Sequence, residues 1–418
     1  MTIAPYEIRP IDKTGYDPFV VSLERAFGWD PPTGRLAELF DAAFSAQRLI
    51  GVFDGDDVVG TAGALSMTTT VPGSQRPCAG VTTVSVTSTH RRRGLLTALM
   101  RRQLDDIAAA GVEAVAALWA SEPQLYQQYG YGLAGWNSRL DVETPWSAFS
   151  REGQAVLERF RGRLHLREPA KARPDMERVY ERVTATAPGA MSRDRERWDL
   201  LLADLPEQRA GGSEMQVVVA EVDGDAVGYA SFRIAQGSTT WSSSDGELRL
   251  VELLAETPEV HAALWRHVLD TSLVRRLTAR IRPHPDPLLL LLADPRHARA
   301  ALLDGVWLRL VDLPRALSER TYSAPTAVTL RVHDAFLPAN DGTWRVEIDD
   351  MGAATVTPTG TEPDLELTAA DLGAAHLGGT TLASLAAAGR VIEHSPGTLL
   401  AASRAWSWHE APYTVDIF

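Results

Sequence analysis

The chain has 418 residues, 45% of them apolar and 23% charged, which fits two or three globular domains and excludes long disorder, collagen-like repeats and disulfide scaffolds. Acidic residues exceed basic ones by 13, and Lys13 and Lys171 are the only lysines. That balance excludes a basic nucleic-acid-binding face and favours cationic ligands.

The Arg, Ala and Gly usage suggests a GC-rich bacterial genome. The single Cys78 cannot form an internal disulfide, which points to a cytoplasmic protein. Met1 to Asp17 carries no signal-peptide pattern. The longest apolar run, Leu288–Ala293, is far short of the roughly 20 residues of a membrane span and reads as a buried strand.

In chain order, Leu49–Phe53, the turn Asp54-Gly55-Asp56-Asp57 and Val58–Ser66 predict a β-hairpin. Thr68–Val71 opens a loop with Pro72, Gly73 and Pro77, and Val81–Val86 is a strand. Arg91-Arg92-Arg93-Gly94 precedes a helix to Ala110, with Leu96, Met100, Leu104 and Ile107 as its apolar stripe and Gly111 as its stop. Arg101–Asp105 and Arg102–Asp106 are i,i+4 pairs on its wet face. Val112–Ala120 is a strand, and Pro123 starts a short helix carrying Leu125 and Tyr126.

A second segment repeats this order. Val217–Glu221, Asp223-Gly224-Asp225 and Ala226–Ile234 form a hairpin whose Asp-Gly-Asp lies 169 residues after the first. Strand Leu248–Leu254 and helix Pro258–Leu269 follow, as in a duplicated domain. Where the first copy has Arg91-Arg92-Arg93-Gly94, the second has Ala255-Glu256-Thr257-Pro258. Its glycine is missing and carboxylates replace cations, so the second copy should bind no pyrophosphate. From Val306 a third, α+β segment is expected: strands Trp307–Val311, Val328–Val332, Gly342–Ile348, Ala353–Pro358 and Asp364–Leu367, then helices Ala369–Leu377 and Thr381–Ala388.

A strand ending at Val86, a short loop and Arg-x-x-Gly opening a helix make an anion site by construction. Gly94 lets a ligand approach the backbone, the first N–H groups of a helix have no internal partner, and its dipole favours negative charge. Arg92 and Arg93 can add charge-assisted bonds. No histidine spacing suggests a metal site; His261, His267, His333, His376 and His409 are scattered.

With these residues in view, the sequence resembles the GCN5-related N-acetyltransferase superfamily. Within it, Ala79-Gly80-Val81, Val84-Ser85-Val86, Thr89-His90-Arg91-Arg92-Arg93-Gly94-Leu95-Leu96, Ala120-Ser121-Glu122 and Tyr126 with Tyr129-Gly130-Tyr131-Gly132 look like the enhanced intracellular survival (Eis) acetyltransferases. The similarity covers the whole chain. It implies an α+β protein: a catalytic domain (1–148), a degenerate acetyltransferase-like domain (149–305) and a sterol-carrier-like domain (306–418).

The resemblance also implies roles. Val84, Ser85 and Val86 would line the acetyl-CoA thioester. Arg91, Arg92, Arg93, Gly94, Leu95, Leu96 and Thr97 would hold its pyrophosphate, with Ser121 and Glu122 beside it. Tyr126 would protonate the leaving thiolate, and the Phe418 carboxylate would take the proton of the attacking ammonium. An ordinary α-carboxylate, with a pKa of roughly 3.3–3.7, is a weak base; burial strengthens it, and it can also orient the ammonium.

Trp29 and Asp30 lie where the family's amine-binding helices begin, and Asp416 could add charge near the terminus. Tyr129 and Tyr131 read as packing residues and His90 as loop structure. No Cys or Ser–His pair suggests a covalent intermediate, so transfer should be direct. The expected acceptors are aminoglycosides, at several amines, with protein lysines or another small amine as alternatives. A homohexamer without nucleic-acid or membrane partners is implied. The rival reading is a lipid carrier built on an inactive acetyltransferase scaffold.

Overall fold

Near-continuous buried runs in Arg48–Asp54 and Asp57–Val71 make the centre of one sheet, covered on both faces. In the computed structural model, which describes residues 2, 3, 5–44, 47–237 and 245–418, β1 (Thr2–Ile3), β2 (Tyr6–Pro10), β3 (Arg48–Asp54), β4 (Asp57–Val71) and β5 (Ser74–Val86) pair antiparallel in succession. Two helices, α1 (Tyr16–Phe27) and α2 (Gly34–Phe44), interrupt them. The expected loop at Thr68–Pro77 is strand almost throughout, because Pro72-Gly73, with Gly73 at φ 80, turns the chain in two residues. Helix α3 (Leu95–Ala110) follows, flanked by left-handed Gly94 and Gly111. Its wet face differs from expectation in one pair: Arg102 meets Asp106, but Arg101 stacks on Phe336 and bonds that residue's carbonyl.

Strand β6 (Val115–Trp119) runs parallel to β5, and after α4 (Pro123–Gln127) comes the short β7 (Gly132–Leu133). The chain then leaves this sheet. β8 (Trp136–Glu143) pairs with strands of a second sheet, and the first sheet receives its missing strand much later in the sequence.

The second sheet contains β8, β9 (Arg163–Arg167), β10 (Gln216–Val222), β11 (Asp225–Ala235), β12 (Gly246–Ala255), β13 (Val274–Pro283) and β14 (Ala301–Asp304), in the order β14-β8-β13-β12-β11-β10-β9. The same stretch of chain carries α5 (Arg151–Leu157), α6 (Pro169–Thr184), α7 (Arg195–Leu202), α8 (Pro258–Leu269) and α9 (Leu288–Leu291). The predicted strand over Leu288–Ala293 is therefore largely helix. Pro287 sits before its first turn, Leu288 and Leu291 point inward at helical spacing, and Leu290 is exposed.

Strand β15 (Val306–Leu310) is the first sheet's late strand, antiparallel to β6 and β7 and inserted between them. It is not the opening strand of the third segment, because its apolar residues complete the core between β6 and β7. The third sheet holds β16 (Thr326–His333), β17 (Gly342–Ile348), β18 (Ala354–Pro358), β19 (Leu365–Thr368) and β20 (Ile392–Glu393). Helices α10 (Leu313–Ser318), α11 (Ala369–Ala375), α12 (Leu382–Ala387) and α13 (Thr398–Trp406) accompany it. Helix α11 lies on β7 and β15, where a side chain at Gly132 or Gly373 would collide with backbone. One apolar core consequently runs from Leu65, Met67 and Cys78 through Leu308 to Leu330 and Trp406.

Two compact units result: Met1–Gly135 with Met191–Leu200 and Gly305–Phe418, and Trp136–Ala190 with Leu201–Asp304. The second unit starts at Trp136, ahead of the expected 149, and its last residue, Asp304, lies beside the expected boundary at 305. Trp136–Glu143 belongs to the second sheet, and residues 191–200, from the middle of the expected second domain, join the first unit.

Candidate active site

The site begins where two parallel strands part. The ladder between β5 and β6 runs only from Cys78↔Val115 to Gly80↔Ala117, although β5 continues to Val86. Thr83, at φ 53, and Val84 bulge out of register with β4, between the pairs Gly63↔Thr82 and Thr61↔Ser85. The bulge is tied down by the Thr61 hydroxyl, 2.6 Å from the Thr83 carbonyl and 2.7 Å from the Ser85 hydroxyl. The Ser85 side chain is therefore committed to structure, and the backbone of Val84 to Val86 borders the gap.

Beyond that strand, Arg92 is left-handed (φ 61), and Gly94 caps α3 with φ 78 and open space where a Cβ would stand. No side chain caps this helix, and among the described residues the N–H groups of Leu95, Leu96 and Thr97 have no acceptor. The three arginines divide their labour. Arg93 is held by the Tyr6 hydroxyl and the Thr89 carbonyl, whereas Arg91 and Arg92 are exposed. His90 is structural, 3.2 Å from Asp54 and edge-on to Tyr6.

Val84, Leu96, Ala120 and Tyr126 all pack against one apolar cluster under α3, so strand, helix start and tyrosine meet on one face. Ser121 and Glu122 are exposed just before α4. Tyr126 is half-buried, edge-on to Tyr131 with 6.1 Å between ring centroids. Burial, with the phenol of Tyr129 and the carboxylate of Glu122 adding to it, pushes its pKa up to about 12. It therefore holds its proton at neutral pH. Tyr129 and Tyr131 are buried packing residues, as the sequence suggests; the Tyr129 hydroxyl lies 3.2 Å from that of Thr97.

The opposite face of β4 and β5 carries the end of the chain. Gly63, Leu65 and Met67 pair with Thr82, Gly80 and Cys78, so their side chains share one face. The Phe418 ring covers Gly80 there, with the Met67 sulfur beside it. Residues 191–200 fasten this tail. Thr68 and Ser192 exchange hydrogen bonds at 2.8 and 2.9 Å, and the buried Arg193 guanidinium lies 2.8 Å from the Asp416 carboxylate. Arg197 reaches the Ile417 carbonyl. Asp416 is thus a buried anchor rather than a contact for an incoming cation, because a carboxylate at this depth needs its own counter-ion. Nothing in the local sequence marks Arg193 for this task.

Trp29 and Asp30 follow α1. Trp29 is 64% exposed and stacks on Phe27 at 5.4 Å, and Asp30 is exposed. They offer an aromatic face and an acid without burial.

The second sheet repeats the parting of strands and closes it. The β12–β13 ladder ends at Leu250↔Ala279, and the Leu253 carbonyl beyond it accepts a 2.8 Å bond from buried Arg282, itself paired with buried Asp286. Helix α8 is capped by Thr257, has Pro258 in its first turn and carries Glu259. Arg159 and Arg182 occupy Glu259 and Glu256. Every feature that leaves the first copy open to an anion is satisfied internally in the second. The Arg282–Asp286 spacing of four is the available sequence signal, inside a segment whose prolines otherwise suggest only a stiff loop.

Models of the acetyltransferase (GNAT) domain match residues 7–134 and 189–310, and a sterol carrier protein domain model matches residues 313–415. An uncharacterized N-acetyltransferase of Streptomyces avermitilis is 43% identical over 412 residues, 97% of this chain and 98% of that protein. N-acetyltransferase Eis of Mycobacterium tuberculosis is 34% identical over 353 residues, 82% of this chain and 81% of that protein. The crystal structure of Eis1 from Mycobacterium abscessus aligns with a TM-score of 0.82 at 32% identity, over 99% of this chain and 100% of that one. Two acetyltransferase domains, a sterol-carrier-like domain and an open strand–helix anion site thus identify an N-acetyltransferase using an acyl-CoA, and the chain belongs to the Eis family of GCN5-related N-acetyltransferases.

Proposed function

We propose that the protein transfers the acetyl group of acetyl-CoA directly to amines of cationic acceptors, aminoglycosides foremost, with several amines of one acceptor as targets. The observation that carries this reading is the open gap between β5 and β6, bordered by Val84 to Val86 and flanked by the bare start of α3. Arg91, Arg92 and the N–H groups of Leu95, Leu96 and Thr97 hold the pyrophosphate, with Ser121 and Glu122 beside the cofactor. The Phe418 carboxylate takes a proton from the bound ammonium. The amine nitrogen attacks the thioester carbonyl, the C–S bond breaks, the thiolate receives the Tyr126 proton, and the second proton released by the nitrogen as it becomes an amide returns to the Tyr126 phenolate.

The tyrosine on one face of the strands and the tail on the other fit a reaction across the gap. Trp29 and Asp30 contribute a cation-binding edge. The excess of 13 acidic residues supports polycationic acceptors, and protein lysines or other small amines are the alternatives. We further propose a cytoplasmic homohexamer; among the described residues no helix is long and apolar enough to cross a membrane. A carrier function is disfavoured because Leu372, Leu382, Leu385 and Trp406 fill the apolar side of the third sheet.

The test is CoA release from acetyl-CoA with kanamycin-like aminoglycosides, polyamines and lysine peptides. It uses the parent, Tyr126→Phe and a chain lacking Phe418. Collapse in both variants supports both roles. Turnover that survives loss of Phe418 removes the base, and no turnover with any amine removes the acceptor reading.

A further inference from the structure

The Tyr131 ring packs as the sequence suggests, but packing does not explain its hydroxyl. The residue is fully buried, and among the described residues its oxygen has no hydrogen-bond partner. A phenylalanine would fill the same space without desolvating an idle hydroxyl. A second anomaly acts on the first. The Arg309 side chain, from β15, is 0% exposed; its Nη2 donates to Asp334, while Nε and Nη1 have no acceptor among the described residues. Asp334, just past β16, is fully engaged, since its oxygens also accept from Asn340 and from the N–H groups of Phe336 and Leu337. The guanidinium lies directly under the turn that follows α4, where a side chain at Gly130 would run into it. It stays charged there, because a guanidinium keeps its proton in a protein. Burial pushes the Tyr131 phenol up, the Arg309 charge pulls it back, and a charge on Tyr126 pushes it up again. Tyr131 is thus coupled to a buried cation and to the tyrosine at the site.

The transfer reaction creates a demand at this place. Tyr126 holds its proton with a pKa of about 12. A thiol sits near about 8.5, so passing that proton to a thiolate runs uphill by more than about a thousandfold unless the phenolate left behind is stabilised. The charged neighbours that act on Tyr126, Tyr129 and Glu122, both disfavour its phenolate. Tyr131 is placed to do the opposite. Its ring stands edge-on to that of Tyr126, and its backbone N–H donates to the Tyr126 carbonyl at 3.3 Å. An Arg309 N–H given to the Tyr131 oxygen turns the O–H dipole away from the cation and leaves it free to face negative charge.

We propose that Tyr131, backed by Arg309, is a positioning residue for Tyr126, its hydroxyl dipole stabilising the phenolate that Tyr126 becomes during transfer. This rests on the reading of Tyr126 as general acid. No covalent bond changes at Tyr131, and the stabilisation ends when the proton released by the nitrogen returns to Tyr126. Asp334, through Arg309, gives the third sheet's side of the fold a part in that step.

The test is steady-state kinetics with acetyl-CoA and an amine on the parent, Tyr131→Phe, Tyr126→Phe and the double variant. Tyr131→Phe should lower kcat about tenfold or more, the worth of one charge-assisted hydrogen bond, with KM for acetyl-CoA unchanged. Its melting temperature should not fall, because the lost hydroxyl has no partner. In the Tyr126→Phe background the same change should have no effect on kcat. Arg309→Met combined with Asp334→Leu removes the buried pair together and should match the kcat loss of Tyr131→Phe in a chain that still melts cooperatively. Parental kcat in Tyr131→Phe beside a collapsed Tyr126→Phe overturns the inference and keeps the general acid. A loss that persists in the Tyr126→Phe background is structural and overturns it too. Parental turnover in Tyr126→Phe removes the general acid and the inference with it.

Discussion

Removing one partner of the Arg193–Asp416 pair should loosen the tail far more than removing both. The side chains are 3% and 9% exposed and their atoms lie 2.8 Å apart, so either single change leaves a charge in low dielectric. Asp416→Asn or Arg193→Met should each cost about 3–5 kcal/mol, whereas the double variant should sit within about 1 kcal/mol of the parent. Arg193 also lies over the Trp198 ring at 4.7 Å, and methionine in its place keeps an apolar contact there. Hydrogen exchange at Thr414 to Ile417 is the direct assay, because the expected loss appears as local opening of the tail rather than global unfolding. Each single variant should raise exchange by roughly a hundredfold or more, a factor of ten per 1.4 kcal/mol. Single effects that simply add in the double variant would refute the account, since coupled charges must show an interaction term.

Tyr126→Phe should lower kcat by roughly a hundredfold with little change in KM, as expected for loss of a general acid. With its pKa near 12, Tyr126 should produce no alkaline limb in the rate profile below about pH 11, and such a limb that vanishes in the variant would contradict its assignment. Gly94→Val should weaken acetyl-CoA binding in calorimetry and destabilise by about 1–2 kcal/mol, because only the left-handed backbone, not space, forbids the side chain. His376 and His261 are held neutral by burial, with pKa values lowered to about 3 and about 4. The folded state therefore binds fewer protons than the unfolded one below pH 6.5. Stability is intact above that value and falls as pH drops towards 3–4, by about 1.4 kcal/mol per pH unit for each histidine. His376→Gln should flatten that slope for the unit that contains it, as read by acid denaturation.

Local chemistry makes most of the first sheet and its helices legible. The Asp54–Asp57 turn, the helix between Gly94 and Gly111, and the Pro123 start of α4 follow from cap and turn residues that act within a few positions. The anion loop is readable for the same reason: a strand, a glycine and a helix start are contiguous. Long-range partners are not. Val306–Leu310 looks like any strand, and only the gap between β6 and β7 decides which sheet takes it. Asp416 looks like a free charge because its partner is 223 residues away. The leucine run at 288 misleads for a different reason, since six consecutive apolar residues carry no periodicity.

The late arrival of β15 orders events during synthesis. By the time Trp119 leaves the ribosome, six strands of the first sheet exist, yet β6 must wait nearly two hundred residues for its other neighbour. Through that interval its outer edge presents unpaired backbone along an apolar strand, the kind of surface that recruits foreign strands. Yield from the ribosome should therefore depend on how quickly the second sheet's segment is made, so pausing within residues 144–300 should aggregate the nascent chain while leaving the finished protein's stability untouched.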